Sequence, residues 1–213
     1  MVLTTWRIHY FCVMVAFLQS LALTVGCRAV SEEGFDLVAF SRAWKEYVSY
    51  PSGENARRLT DLLPDTGRYT EFLSPDQYDE MSSVAWEVGQ TLGMLEYQVC
   101  AGDREAVRLA FRLLYTYADG HVAEEICIML GVLIRSNPQL FLEELHNHPP
   151  QWVSLGHLVG DFGPNFVDLD SAEWLEATLR IKALQTVSDS QLVEVRDQCI
   201  EFLEEYARML KED

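Results

Sequence analysis

The sequence predicts an all-α protein, and three observations carry that prediction. Beyond residue 34, apolar residues recur at three- and four-residue intervals almost throughout, the spacing that gives a helix one buried face. Between these stretches lie short cap-and-proline starts such as Ser74-Pro75-Asp76-Gln77 and Asn137-Pro138, which open helices and are rare inside them. No stretch shows a convincing β-hairpin signal. The expected architecture is a set of antiparallel amphipathic helices, in an irregular bundle or a short α-α superhelix, preceded by a cleavable hydrophobic leader.

Taken in order, Leu37, Phe40, Trp44, Tyr47 and Val48 share the face of a first helix. A short helix follows over Glu54 to Leu63 and stops before Pro64. Ser74 and Gln77 can form a capping box around Pro75. The helix they open carries Met81, Val84, Val88, Leu92, Leu95 and Val99 as one stripe and ends at Ala101-Gly102. On it, Gly89 and Gly93 lie one turn apart, where a neighbouring helix can approach closely. The next helix turns Ala106, Ala110, Leu113, Leu114 and Tyr117 inward and ends near Asp119-Gly120.

From His121 to Arg135 the apolar residues run almost all the way round, so this helix is expected to be the central one. Asn137-Pro138 starts another, which Pro149-Pro150 ends. Trp152, Val153, Leu155, Leu158 and Val159 suggest a short helix, and Gly160, Gly163 and Pro164 then make the one substantial loop. Asp170 with Glu173, and Ser188 with Gln191, resemble capping boxes that open the last two helices. The final one faces Leu192, Val195, Cys199, Phe202, Leu203, Tyr206 and Leu210 inward and is acidic outside. The repeated helix–turn–helix pattern loosely resembles an α-solenoid of HEAT type, although no fixed residue period recurs. That resemblance implies only an architecture whose members often bind other proteins.

The N-terminus reads differently. Arg7 precedes a run from Phe11 to Val25 interrupted only by Gln19, Ser20 and Thr24. At about fifteen residues it fits a secretory leader better than a membrane span, which needs about twenty. Its end, Leu23-Thr24-Val25-Gly26-Cys27, resembles a bacterial lipobox, in which the cysteine is lipidated and becomes the mature N-terminus. Thr24 departs from the larger aliphatic usual in that motif, and a cut after Ala29 competes with it. The expected organisation is a leader over 1–27 with Cys27 as lipidation site, a short tether over 28–34, and one helical domain over 35–213. The expected location is exported: periplasmic or cell-surface, and membrane-anchored through the lipid or a retained leader helix.

Charge narrows the partners. A chain starting at residue 28 keeps 15 of the 16 Lys and Arg and all 33 Asp and Glu, a formal charge of −18. Only Lys45, Lys182 and Lys211 are lysines. Such a surface repels phosphate backbones, which disfavours nucleic acid and favours protein partners, basic ones above all. Beyond Cys27 the cysteines are Cys100, Cys127 and Cys199. An odd number is no disulfide framework, and Cys127 and Cys199 fall on apolar faces where a thiol packs as a small hydrophobe.

Three constellations could carry chemistry. His121 with Glu124 and Glu125 resembles an inverted zincin motif whose second histidine is replaced by Glu125. Glu143 and His146 have the Glu-x-x-His spacing of di-iron bundles without its second copy, and His148 follows. Acidic first turns and basic last turns explain both clusters more simply through the helix dipole. Asp161, Asn165, Asp168 and Asp170 supply oxygen ligands around the long loop without the spacing of an EF-hand. No nucleophile elbow or phosphate-cradling glycine loop occurs, so neither a reaction nor a cofactor is indicated. Trp44, Trp86, Trp152 and Trp174 mostly fall at core spacing.

The leading expectation is therefore a membrane-tethered helical interaction or scaffold module. A carrier of a hydrophobic or cationic small ligand is the alternative. A metal-dependent enzyme built on His121, His146 and His148 is the third reading.

Overall fold

The structure is a computed structural model of the chain and describes residues 35–64, 77–116, 120–149, 153–166 and 170–212. Cys27 and the whole leader and tether lie outside the described residues, as do Ser74, Pro75, Trp152 and Asp168. Phe35–Asp213 packs as one unit. Among the described residues all regular structure is helical: α1 (Leu37–Ser49), α2 (Gly53–Leu62), α3 (Tyr78–Thr91), α4 (Gly93–Cys100), α5 (Arg104–Thr116), α6 (His121–Ser136), α7 (Pro138–Asn147), α8 (Leu155–Gly160), a 3₁₀ turn (Pro164–Phe166), α9 (Asp170–Leu184) and α10 (Val193–Glu212). None of these helices is long and apolar enough to cross a membrane.

Local chemistry sets most of the boundaries. Asp36, Ser52, Asp103, Asn137 and Ser154 each accept a hydrogen bond from the backbone N–H three residues on, at 2.9–3.3 Å. Such a cap stabilises a helix by roughly 1 kcal/mol. Gly102, at φ 77°, ends α4 and lets the Asp103 N–H reach the Gln98 carbonyl. The last cap departs from expectation, since Asp189 rather than Ser188 receives the Gln191 N–H, and α10 starts only at Val193.

The stripe from Met81 to Val99 is buried throughout, but its helix is two helices. They meet at Leu92, whose carbonyl takes the Glu96 N–H. Of the glycine pair, Gly89 lies against His121 and Val122 of α6, while a side chain at Gly93 would meet nothing within 4 Å.

At the centre is α6, which touches α3, α4, α5, α7, α8 and α9. Its buried residues include Ile126, Cys127, Met129, Leu130, Leu133 and Ile134, and only Val132, 42% exposed, breaks the apolar girdle. Around it, α1 packs on α2, α2 on α5, and α10 on α8 and α9. Trp44 is buried and its indole N–H donates to Thr91 Oγ1 at 2.8 Å, joining α1 to α3. Trp174 is half-buried beneath Lys211. Trp86, by contrast, is 70% exposed and belongs to no core, because it lies off the stripe that α3 buries. Cys127 and Cys199 are buried free thiols, each pushed up to about 12 by burial, and Cys100 is exposed.

The inward face of α10 is Cys199, Leu203 and Ala207, with Leu192 buried just before its start, while Glu194, Glu201, Glu204 and Glu205 face solvent.

Candidate functional site

Among the described residues no group of three or more His, Cys, Asp and Glu is placed to hold a metal ion. His121 is exposed, and its imidazole stands 3.8 Å from Glu125 on the next turn. At α7, the Glu143 carboxylate accepts from Arg104 at 2.6 Å and from Gln139 at 2.9 Å. The Arg104 guanidinium holds it below the usual carboxylate range. His146 is exposed, and His148 lies 3.2 Å from Glu144. Glu144 is wholly buried and takes Arg104 and Arg108 from α5. These carboxylates are engaged by arginines, which fasten α5 to α7. Of the loop oxygens, Asp161 is spent on the Gly163 N–H at 3.0 Å, and Asp170 is exposed at the start of α9.

A second buried charge cluster carries the far side of the core. Arg180 on α9 is 1% exposed. It donates to Glu176 at 3.2 Å and to the carbonyls of Val159 and Asp161 at 2.6 and 3.0 Å. Its guanidinium lies 4.5 Å from the Phe162 ring centre. Glu176 also takes Arg135 of α6 at 2.9 Å. A Cβ at Gly131 would lie 2.6 Å from the guanidinium nitrogens, so only glycine leaves that space. Burial lowers the Arg180 pKa and Glu176 opposes the shift. The two bonded carbonyls close the C-terminal end of α8, where orphan acceptors need donors. Sequence reasoning missed this cluster. Its one signal was the four-residue spacing of Glu176 and Arg180 on a single helix.

What Arg180 fixes from behind is one wall of a cleft. The cleft has a volume of about 690 Å³ and is formed by α6, α8, α9, α10 and the loop after α8. Phe202, Tyr206 and Phe162 supply its aromatic surface, with Ile128 and Pro164 beside them. The Phe202 ring fits against α8 only because residue 156 has no side chain: a Cβ there would lie 2.2 Å from the ring. Tyr206 and Phe162 stack obliquely with ring centres 5.5 Å apart.

Four carboxylates, Glu124, Glu125, Asp161 and Glu173, line the same cleft, together with His157 but no lysine or arginine among the described residues. Glu173 accepts a hydrogen bond from the Tyr206 hydroxyl, whose pKa is pushed up to about 12 by burial and by this carboxylate. His157 stands 3.8 Å from Asp161. Glu124 is exposed on the rim and carries no ion pair among the described residues. Fixed negative charge over aromatic faces is an arrangement that attracts cations.

Comparison with known proteins gave no match: no protein family, no curated protein and no solved structure is significantly similar to the chain.

Proposed function

We propose that the protein is a helical interaction module that engages a basic protein partner and is held at a membrane through Cys27. The observation that supports the partner is the sign of its surface. The whole chain has 33 acidic residues against 16 basic ones, and the cleft repeats that imbalance locally. A field of this kind raises the encounter rate with positively charged proteins. The packing favours an irregular helical bundle over an open superhelix, because α2 reaches α5, and α8 joins α6 to α10 across the chain order.

Association with the partner is expected to be faster at low salt, since the screening length falls to about 8 Å at physiological ionic strength. Glu201 and Glu205 are exposed on α10. Changing both to lysine is expected to slow association in stopped-flow mixing and to leave the melting temperature nearly unchanged. Rates that ignore both salt and these changes would mean that the acidity serves solubility alone.

The tether is read by mass spectrometry of the membrane-extracted protein. A diacyl or triacyl increment on Cys27 is expected, and an intact Met1 or an unmodified start at Val30 would remove it. The carrier reading, in which a hydrophobic or cationic small molecule fills the cleft, draws on the same aromatic surface. The cleft's open, acid-lined form favours a protruding side chain over an enclosed ligand.

A further inference from the structure

We propose that the cleft between α6, α8 and α10 seats a lysine or arginine side chain of a basic peptide segment, with an adjacent apolar residue lying on Phe202. This deepens the basic-partner reading above and rests on it. The argument begins with what the cleft can offer. Glu173 already accepts from Tyr206, and Asp161 already accepts from Gly163 and lies beside His157. Glu125 has His121 across one turn. Glu124 alone of the four has no such neighbour given to it among the described residues, and it is exposed at the rim. An incoming cation can therefore pair with Glu124 without breaking a contact, while the other three carboxylates add to the attraction.

The apolar half is equally definite. Phe202 and Tyr206 are half-buried with part of each ring left in the cleft. A long basic side chain has an aliphatic stem for such a surface and a charged head for the rim. A purely apolar guest would desolvate carboxylates without pairing them, which is unfavourable. An anionic guest would meet four like charges. The volume of about 690 Å³ suits one or two side chains of an extended segment.

The test uses the full-length protein and fluorescence anisotropy with three labelled peptides of equal length. One alternates leucine and arginine, one replaces each arginine by uncharged citrulline, and one replaces each leucine by serine. The leucine–arginine peptide is expected to bind, and the citrulline peptide to bind weaker by about tenfold or more. The serine–arginine peptide, equal in charge, should bind weaker than the leucine–arginine one, because it lacks the apolar residue for Phe202.

Glu124→Lys should weaken the alternating peptide by about tenfold, whereas Glu96→Lys, which changes net charge equally on exposed α4 outside the cleft, should change it by less than about twofold. If Glu124→Lys shifts the melting temperature, Glu124→Gln replaces it, with a loss expected in the same direction. Equal weakening by Glu124→Lys and Glu96→Lys would place the peptide in the general field and overturn the cleft as its seat, leaving the basic-partner reading intact. Equal binding of the citrulline peptide would overturn the cation, and equal binding of the serine–arginine peptide would overturn the apolar contact. If neither arginine-containing peptide binds even at low salt, the cleft proposal and the basic-partner reading both fall.

Discussion

Replacing Arg180 by leucine is expected to cost about 3–5 kcal/mol of folding stability, the range for removing one partner from a buried ion pair. The loss has three sources in the structure. Glu176 keeps Arg135 but loses its second guanidinium. The carbonyls of Val159 and Asp161 lose their donor in a place water reaches poorly. The ring of Phe162 loses the cation lying over it. A urea titration of the two proteins measures the difference directly, provided the slope of the transition is unchanged. Changing Glu176 to leucine as well should recover part of the loss, since it removes the buried carboxylate and leaves only Arg135, whose half-exposed head water can solvate. A single-variant loss below about 1 kcal/mol would mean that the carbonyls find other donors and that the cluster contributes little.

The second large effect is expected at the centre of the core. Leu130 is wholly buried on α6, the helix that touches six others. Leu130→Ala should cost about 2–5 kcal/mol, from lost burial and from the cavity left where surrounding helices cannot all close in. Val132, two residues on, is the internal control. At 42% exposure, its change to alanine should stay within about 0.5 kcal/mol. A denaturant titration that finds the two variants alike would make α6 peripheral and would contradict its place between α3 and α9.

These two positions also mark what the sequence made legible and what it hid. Leu130 was readable because burial of α6 is written in its own residues, an apolar girdle with a glycine turn before it and Asn137-Pro138 after it. The cap at Asn137 was readable for the same reason, since its bond spans only three residues. Arg180 was not readable. On α9 the inward residues are Glu176, Ala177, Arg180 and Leu184, so a count of apolar spacing misjudges the face that is inside. The break at Leu92 was hidden differently, because Leu92 and Leu95 are both buried and the stripe runs on across it.

The histidine clusters were visible as motifs, yet the arginines that claim Glu143 and Glu144 sit some forty residues upstream in the chain. No local pattern reports such partners. The cleft has the same character. Glu124, Asp161 and Phe202 come from three separate helices or loops, and only the packing brings them to one opening.

The seat of Phe202 against Gly156 has a consequence for descent. With a Cβ at 156 placed 2.2 Å from that ring, the glycine cannot change while the ring stays in its seat. A lineage that gains alanine at 156 must shrink or move residue 202, whereas the ring can be lost while the glycine remains. Related sequences should therefore show a side chain at 156 only where residue 202 is no longer a seated ring, and those that lose the ring should be the ones whose cleft has lost its floor and with it the reason to stay acidic.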